Sequence, residues 1–190
     1  MNTSLIPPIK RSIFVSWDQQ TAFNRFTAEF DSWWPTHSHS VGGDRVRKLV
    51  FETHVGGSIH EEHRDGRRFQ WGQILAWEPP RRLKFTWHPS RDPSTAQDVE
   101  IAFLAEDSGT RLELTSTGWE RWGRRARMAR RGYDTGWGYI LDVWAGKRTV
   151  RMSALEVVTS TLNLGMKLFG GRAAEIARAK GQMPTLSAKD

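Results

Sequence analysis

The hydrophobic pattern changes period three times along the chain. Ile9 to Val15 is a β-branched and aromatic run after Pro7-Pro8, and it reads as a first strand. Ala22, Phe23, Phe26 and Phe30 then recur at helical spacing behind Asp18, a favoured N-cap residue. They predict one amphipathic helix of about three turns. Trp33-Trp34-Pro35 closes it, because the residue before a proline disfavours helix. His37 to Asp44 reads as a polar loop containing Gly42-Gly43.

From Val46 to Thr117 the period is two. Val46 to Glu52 and Ser58 to His63 are strands separated by Gly56-Gly57, and the second leads into Asp65-Gly66, a favoured hairpin turn. Phe69 to Trp77 follows and stops at Pro79-Pro80. Leu83, Phe85 and Trp87, then Val99, Ile101 and Phe103, then Leu112 and Leu114 alternate with mostly polar or charged neighbours. This is the signature of an antiparallel sheet with one buried face. After Gly118 the helical period returns, and Tyr133, Trp137, Ile140 or Leu141, and Trp144 form one apolar stripe. The predicted order is strand, helical region, six strands and a long helix. The apolar sheet face must close on that helix, and the space between them is the expected cavity.

That arrangement selects candidate wall residues. Trp71, Phe85, Trp87, Phe103, Tyr133 and Trp137 fall on the faces directed into the interior, and Trp34, Ile101 and Leu141 complete the candidate ligand-binding set. Glu61 and His63 share one strand face with Ile59. On the inner face they become buried polar groups that need a partner or a ligand. There they would orient a ligand or act as an acid–base pair.

Composition sharpens this picture. Ten tryptophans and nine phenylalanines accompany only two tyrosines, so the walls are large and flat. The absence of cysteine excludes a disulfide framework, a thiol nucleophile and iron–sulfur clusters. It also fits a reducing compartment, and with no secretory signal or membrane span visible the expected location is cytoplasmic. His60-Glu61-Glu62-His63 spaces its histidines three apart in a strand, on opposite faces, which does not suit a zinc site. No Gly-x-Ser-x-Gly elbow is present, and Gly146-Lys147-Arg148-Thr149 fails the phosphate-loop pattern. No metal and no cofactor are expected.

The net charge of +7 would suggest a nucleic-acid partner. Its placement argues otherwise, because positions 145–190 hold eight basic and three acidic residues. Arg121 to Arg131 reads as a solvated basic face. Leu155, Val158, Leu162, Met166 and Phe169 recur at helical spacing beyond the sheet and its helix. The chain therefore divides into a domain at residues 1–148 and a helical extension at 149–190. The extension is expected to pack on the sheet or to form a homodimer.

Several segments together resemble a known family. Trp71-Gly72, Trp77-Glu78-Pro79-Pro80-Arg81-Arg82-Leu83 and Phe85-Thr86-Trp87 resemble a run typical of the Hsp90 ATPase activator homologue-like family of the START-like (SRPBCC) superfamily. Gly109-Thr110-Arg111-Leu112-Glu113-Leu114-Thr115 with Thr117-Gly118-Trp119 is similar to the family's last strand and following turn. Gly136-Trp137 with Ile140-Leu141 is similar to its final helix, and Trp33-Trp34-Pro35 and Phe51-Glu52 with Gly56-Gly57 also fit. The resemblance covers roughly Lys10 to Arg148. It implies an α+β helix-grip fold, a curved antiparallel sheet of about seven strands around a long C-terminal helix. It also implies a pocket for small apolar or amphipathic molecules. Binding of a small hydrophobic ligand is the leading expectation. A cyclase or hydrolase using Glu61 and His63 is the second, and a chaperone ATPase co-factor, implied by the family name, the third.

Overall fold

The computed structural model describes residues 6–147. The extension at 149–190, and the homodimer expected through it, lie outside the described residues. The strands are β1 (Ile9–Val15), β2 (Val46–Phe51), β3 (Ser58–His63), β4 (Arg68–Glu78), β5 (Arg82–Trp87), β6 (Gln97–Glu106) and β7 (Gly109–Thr117). The helices are α1 (Gln19–Thr27), α2 (Phe30–Trp33), α3 (Thr36–His39) and α4 (Ala126–Trp144). All seven strands join one antiparallel sheet in the order β1-β7-β6-β5-β4-β3-β2, curled around α4 in a helix-grip fold.

Asp18 starts α1 by accepting hydrogen bonds from the Thr21 backbone N–H at 2.9 Å and the Thr21 hydroxyl at 2.6 Å. Ala22, Phe23 and Phe26 then bury one helix face. The helix does not run on to Phe30 as the spacing predicts. Ala28 caps it and Phe30 begins α2. Asp31 in α2 accepts the Leu49 N–H at 2.7 Å and so ties α2 to β2. The expected polar loop from His37 to Asp44 is also partly helical. The Pro35 carbonyl accepts from Ser38 and His39 to form α3, and a single 3-10 turn spans Gly43–Arg45.

The final helix begins at Ala126, so the arginine-rich run overlaps its start and the apolar stripe from Tyr133 lies within it. Some of the arginines around its beginning act as tethers. Arg121 donates to Asp98 and to the Ala96 carbonyl, and Arg130 donates to the Pro7 and Pro8 carbonyls at 2.7 and 2.9 Å.

Register decides which side chains meet inside. Leu83 lies opposite Ile101, which lies opposite Leu114; Phe85 lies opposite Val99, which lies opposite Ser116; Trp87 lies opposite Gln97; and Phe103 lies opposite Leu112. Nearly all of these side chains are fully buried, and burial of each large apolar one contributes roughly 1.5–3 kcal/mol. Register shifts in β4, between Ile59 and His60 on one side and Ile74 and Ala76 on the other, bend the sheet around α4. Between them, Gly72 brings the β4 backbone against β5. A Cβ there would lie 1.8 Å from the Thr86 carbonyl oxygen.

Candidate functional site

Four tryptophans from four elements converge on the inner face. Trp34 follows α2, Trp71 lies on β4, Trp87 on β5 and Trp137 on α4. Trp34 meets Trp71 at 5.4 Å, Trp87 at 5.5 Å and Trp137 at 6.4 Å between ring centroids. Trp87 meets Trp71 and Trp137 at 5.4 Å each. The interplanar angles run from 48° to 81°, so the rings meet as tilted and edge-on pairs. Trp34 is anchored by its Nε1–H, which donates to the His39 carbonyl at 2.8 Å. The buried Nε1–H groups of Trp71 and Trp137 have no hydrogen-bond partner. Apolar walls carrying a few free polar atoms are the usual make-up of a small-molecule site.

Glu61 and His63 form a closed dyad on the same face of the sheet as Trp71. His63 Nε2 lies 2.5 Å from Glu61 Oε1, and Val41 N–H donates to Glu61 Oε2 at 3.0 Å. Both side chains are buried. The His63 ring packs on Phe69 with centroids 4.4 Å apart, and Gly42 covers its other side. A Cβ at Gly42 would sit 2.3 Å from His63 Nε2, so only glycine fits over the ring without displacement. His63 Nδ1 is buried and has no partner. On the opposite strand face, Glu62 pairs with Arg47 and Arg68. Burial pushes its carboxyl up, but those guanidiniums and His60 outweigh it and hold the group below the usual glutamate range.

The other predicted wall residues occupy different places. Phe85 touches Trp87 at 5.8 Å and Phe51 at 6.1 Å, at the edge of the tetrad. Ile101 and Leu141 are buried in the hydrophobic core. Phe103 lies at the other end of β6, against Phe23 at 5.3 Å and Phe26 at 6.0 Å. Tyr133 packs between Trp119 and Trp122 at 5.3 and 5.9 Å, outside the tetrad. Burial there pushes its hydroxyl above the ordinary tyrosine range, against the opposing pull of Arg91.

Two inward residues were absent from the predicted wall. Gln97 and Ser116 are fully buried, and Gln97 Oε1 and Ser116 Oγ are both without a partner. The signal was their place in the alternation, one step beyond Val99 on β6 and beyond Leu114 on β7. Among the described residues, no group of three His, Asp or Glu side chains is placed to hold a metal ion. No helix there is long and apolar enough to cross a membrane.

Comparison with known proteins places this geometry in context. A family profile, Activator of Hsp90 ATPase homolog 1-like protein, matches residues 16–144. An anthrahydroquino-γ-pyrone synthase, Txn09, solved as a complex, is 33% identical. That match covers 78% of this chain and 100% of that one, with a TM-score of 0.54. A Mesorhizobium loti protein is 19% identical over 74% of this chain and 96% of its own, with a TM-score of 0.54. An AHSA1-like protein from Aeromonas hydrophila is 18% identical over 74% and 91%, with a TM-score of 0.52. The last two share the fold. A search of curated proteins finds no match.

Proposed function

Because the chain belongs to the Activator of Hsp90 ATPase homolog 1-like family, whose members bind hydrophobic ligands and include polyketide cyclases, we propose that it binds a planar, fused-ring aromatic molecule between the sheet and α4. The observation that carries this reading is the tetrad of Trp34, Trp71, Trp87 and Trp137. Tilted ring pairs present both faces and edges, so a flat guest can stack on one indole while its rim meets another. Burial of apolar ligand surface supplies most of the affinity, at about 25 cal/mol per Å². The free indole N–H groups of Trp71 and Trp137 supply orientation, by donating to oxygens on the guest. The 33% identity to the γ-pyrone synthase, across that protein's full length, supports a polycyclic ligand class.

The test is saturable quenching of tryptophan fluorescence by emodin, a polycyclic polyketide-type probe. A micromolar Kd is expected, and Trp87→Ala or Trp137→Ala should weaken binding by about 10-fold or more. The reading fails if emodin, anthracene carboxylate and β-naphthol all leave the emission unsaturated.

The Glu61–His63 dyad favours a second reading, cyclisation by acid–base catalysis. Glu61 accepts the Nε2–H of His63 and thereby sets the tautomer, which leaves the Nδ1 lone pair as a base. Within that reading His63 removes a proton from a bound poly-β-ketone, and Glu61 is a positioning residue. Given a substrate that turns over, His63→Ala should abolish the reaction, and Glu61→Gln should shift its pH profile while leaving Kd in place. Unchanged turnover in His63→Ala removes this reading and leaves the binding proposal intact.

A further inference from the structure

The geometry points to a hydroxyl-recognising subsite formed by Gln97 and Ser116 beside the tryptophan tetrad; the inference rests on the ligand-binding reading above. Gln97 opens β6 and stands directly opposite Trp87 on β5. Ser116 lies near the end of β7, opposite Val99. Gln97 is two residues from Val99 on the same strand. The two side chains are therefore diagonal neighbours on one sheet face, a spacing of about 7–8 Å with the Cβ atoms somewhat closer. Both residues are 0% exposed.

Their free atoms are of defined chemistry. Gln97 Nε2 donates to the Thr95 carbonyl at 2.6 Å. That bond fixes which way the amide faces, because a flipped amide would set two oxygens against each other. Gln97 Oε1 is consequently the free end, an acceptor with no donor. Ser116 Oγ, also unpartnered, both donates and accepts. The backbone carbonyl of Ser116 is already used, by the Nε1–H of Trp119 at 3.0 Å. On the other side, Trp137 lies against Trp87, the cross-strand neighbour of Gln97, and its own N–H is free.

The complement to this set is a hydroxyl carried on an aromatic ring. Its O–H donates to Gln97 Oε1, and its oxygen accepts from the Ser116 hydroxyl. Two such bonds of about 2.7–2.8 Å meeting at one oxygen span roughly 4.5 Å, within reach of two side chains converging from diagonal positions. A ketone has no proton for Gln97 and leaves its oxygen unpaired. A carboxylate sets negative charge against the same oxygen. A phenol satisfies both residues while its ring lies against Trp87 and Trp137. Buried polar atoms without partners destabilise a fold, so two on adjacent strands beside Trp87, Val99 and Leu114 mark a position kept for binding.

The experiment compares β-naphthol, its methyl ether and naphthalene by isothermal titration calorimetry on the full chain. β-Naphthol should bind about 10-fold more tightly than the other two, as expected for one net hydrogen-bonded group. In Gln97→Leu and in Ser116→Ala that preference should shrink to about 2-fold or less, with naphthalene affinity unchanged. Ser116→Ala, which keeps the packing, should also raise the melting temperature of the ligand-free protein by removing an unpaired hydroxyl. Equal binding of the three probes by the wild-type protein overturns the subsite and leaves the binding reading standing. A preference that persists in both variants does the same. A lowered melting temperature in Ser116→Ala also overturns it, because it means that the hydroxyl already has a partner. Failure of all three probes and of emodin removes both proposals together.

Discussion

The two ends of the sheet–helix interior are made by the same strands and have opposite character. At one end Phe103 on β6 meets Phe23, Phe26 and Trp144 in edge-on pairs with centroids 5.3–6.4 Å apart, and Trp17 closes on Trp144 at 5.3 Å. At the other end, three inward positions away on the same strand, Gln97 meets Trp87. Unpaired indole N–H groups do not separate the ends, because Trp33 and Trp144 have them as well as Trp71 and Trp137. The unpaired side-chain oxygens do, since Gln97 Oε1 and Ser116 Oγ both lie at the tetrad end. Alternation decides that a position faces inward. The polarity of what sits there decides whether the position serves stability or recognition. The Phe103 end is covered by Phe23 and Phe26 of α1 and holds no unpaired side-chain oxygen among those buried there. The tetrad end is stable enough to fold and leaves polar atoms for something else to satisfy.

The largest effect that tests this contrast is at the closed end. Phe103→Ala removes a ring that is 1% exposed and wedged between Phe23, Phe26 and Trp144. It should lower stability by about 3–5 kcal/mol in urea denaturation. Ligand affinity per folded molecule should not change. A small stability loss joined to a large loss of binding would reverse the roles assigned to the two ends.

Next in size is Gly72→Ala, at the strand crossing that carries Trp71. The added Cβ meets the Thr86 carbonyl oxygen, which is backbone and cannot swing aside. A loss of about 1–3 kcal/mol is expected, with a change in near-ultraviolet circular dichroism as Trp71 and Trp87 separate. A silent substitution would show that the β4–β5 approach does not set the tetrad.

These elements differ in how far they could be read from sequence. β3 was legible to the residue, Ser58–His63, because glycine turns flank it on both sides. The division between α1 and α2 was not, since Phe23, Phe26 and Phe30 keep helical spacing across it. Across the division, Asp31 reaches the Leu49 N–H on a strand distant in sequence, a contact that local spacing does not report. Within the site, alternation was enough to direct Trp71 and Trp87 inward, and the helical stripe did the same for Trp137. Alternation could not separate Phe103 from them, because a face is a local property and a position along the sheet–helix interior requires strand register. Gln97 and Ser116 are not legible in the sequence for a different reason. Aromatic periodicity marks the walls and carries no signal for polar residues, although these two sit at inward steps of apolar strands.

Trp137→Phe is a smaller perturbation at the tetrad. It keeps a ring against Trp87 and Trp34 but deletes the unpaired Nε1–H. Stability should change by less than about 1.5 kcal/mol, because ring loss and relief of an unpaired donor oppose each other. Emodin affinity should fall about 3- to 10-fold. An unchanged affinity would mean that the indole N–H does not face the guest, and would reduce the tetrad to apolar wall.

The smallest effect concerns Tyr133, which borders the tetrad end between Trp119 and Trp122. Burial raises its hydroxyl above the ordinary value of 10.0, and Arg91 only partly offsets this. The folded chain therefore holds the phenol proton at a pH where the unfolded chain has released it. Stability from this group is intact below the unfolded pKa and is lost as pH rises from about 10 toward the folded value. Thermal melts from about pH 8 to about pH 11 should show the wild-type protein losing more stability than Tyr133→Phe above about pH 10. Because the chain has only two tyrosines, tyrosinate absorbance can follow the same titration directly. Parallel loss in both proteins would mean that Tyr133 is solvated, and would move the boundary of the buried interior inward from Trp119 toward Gln97.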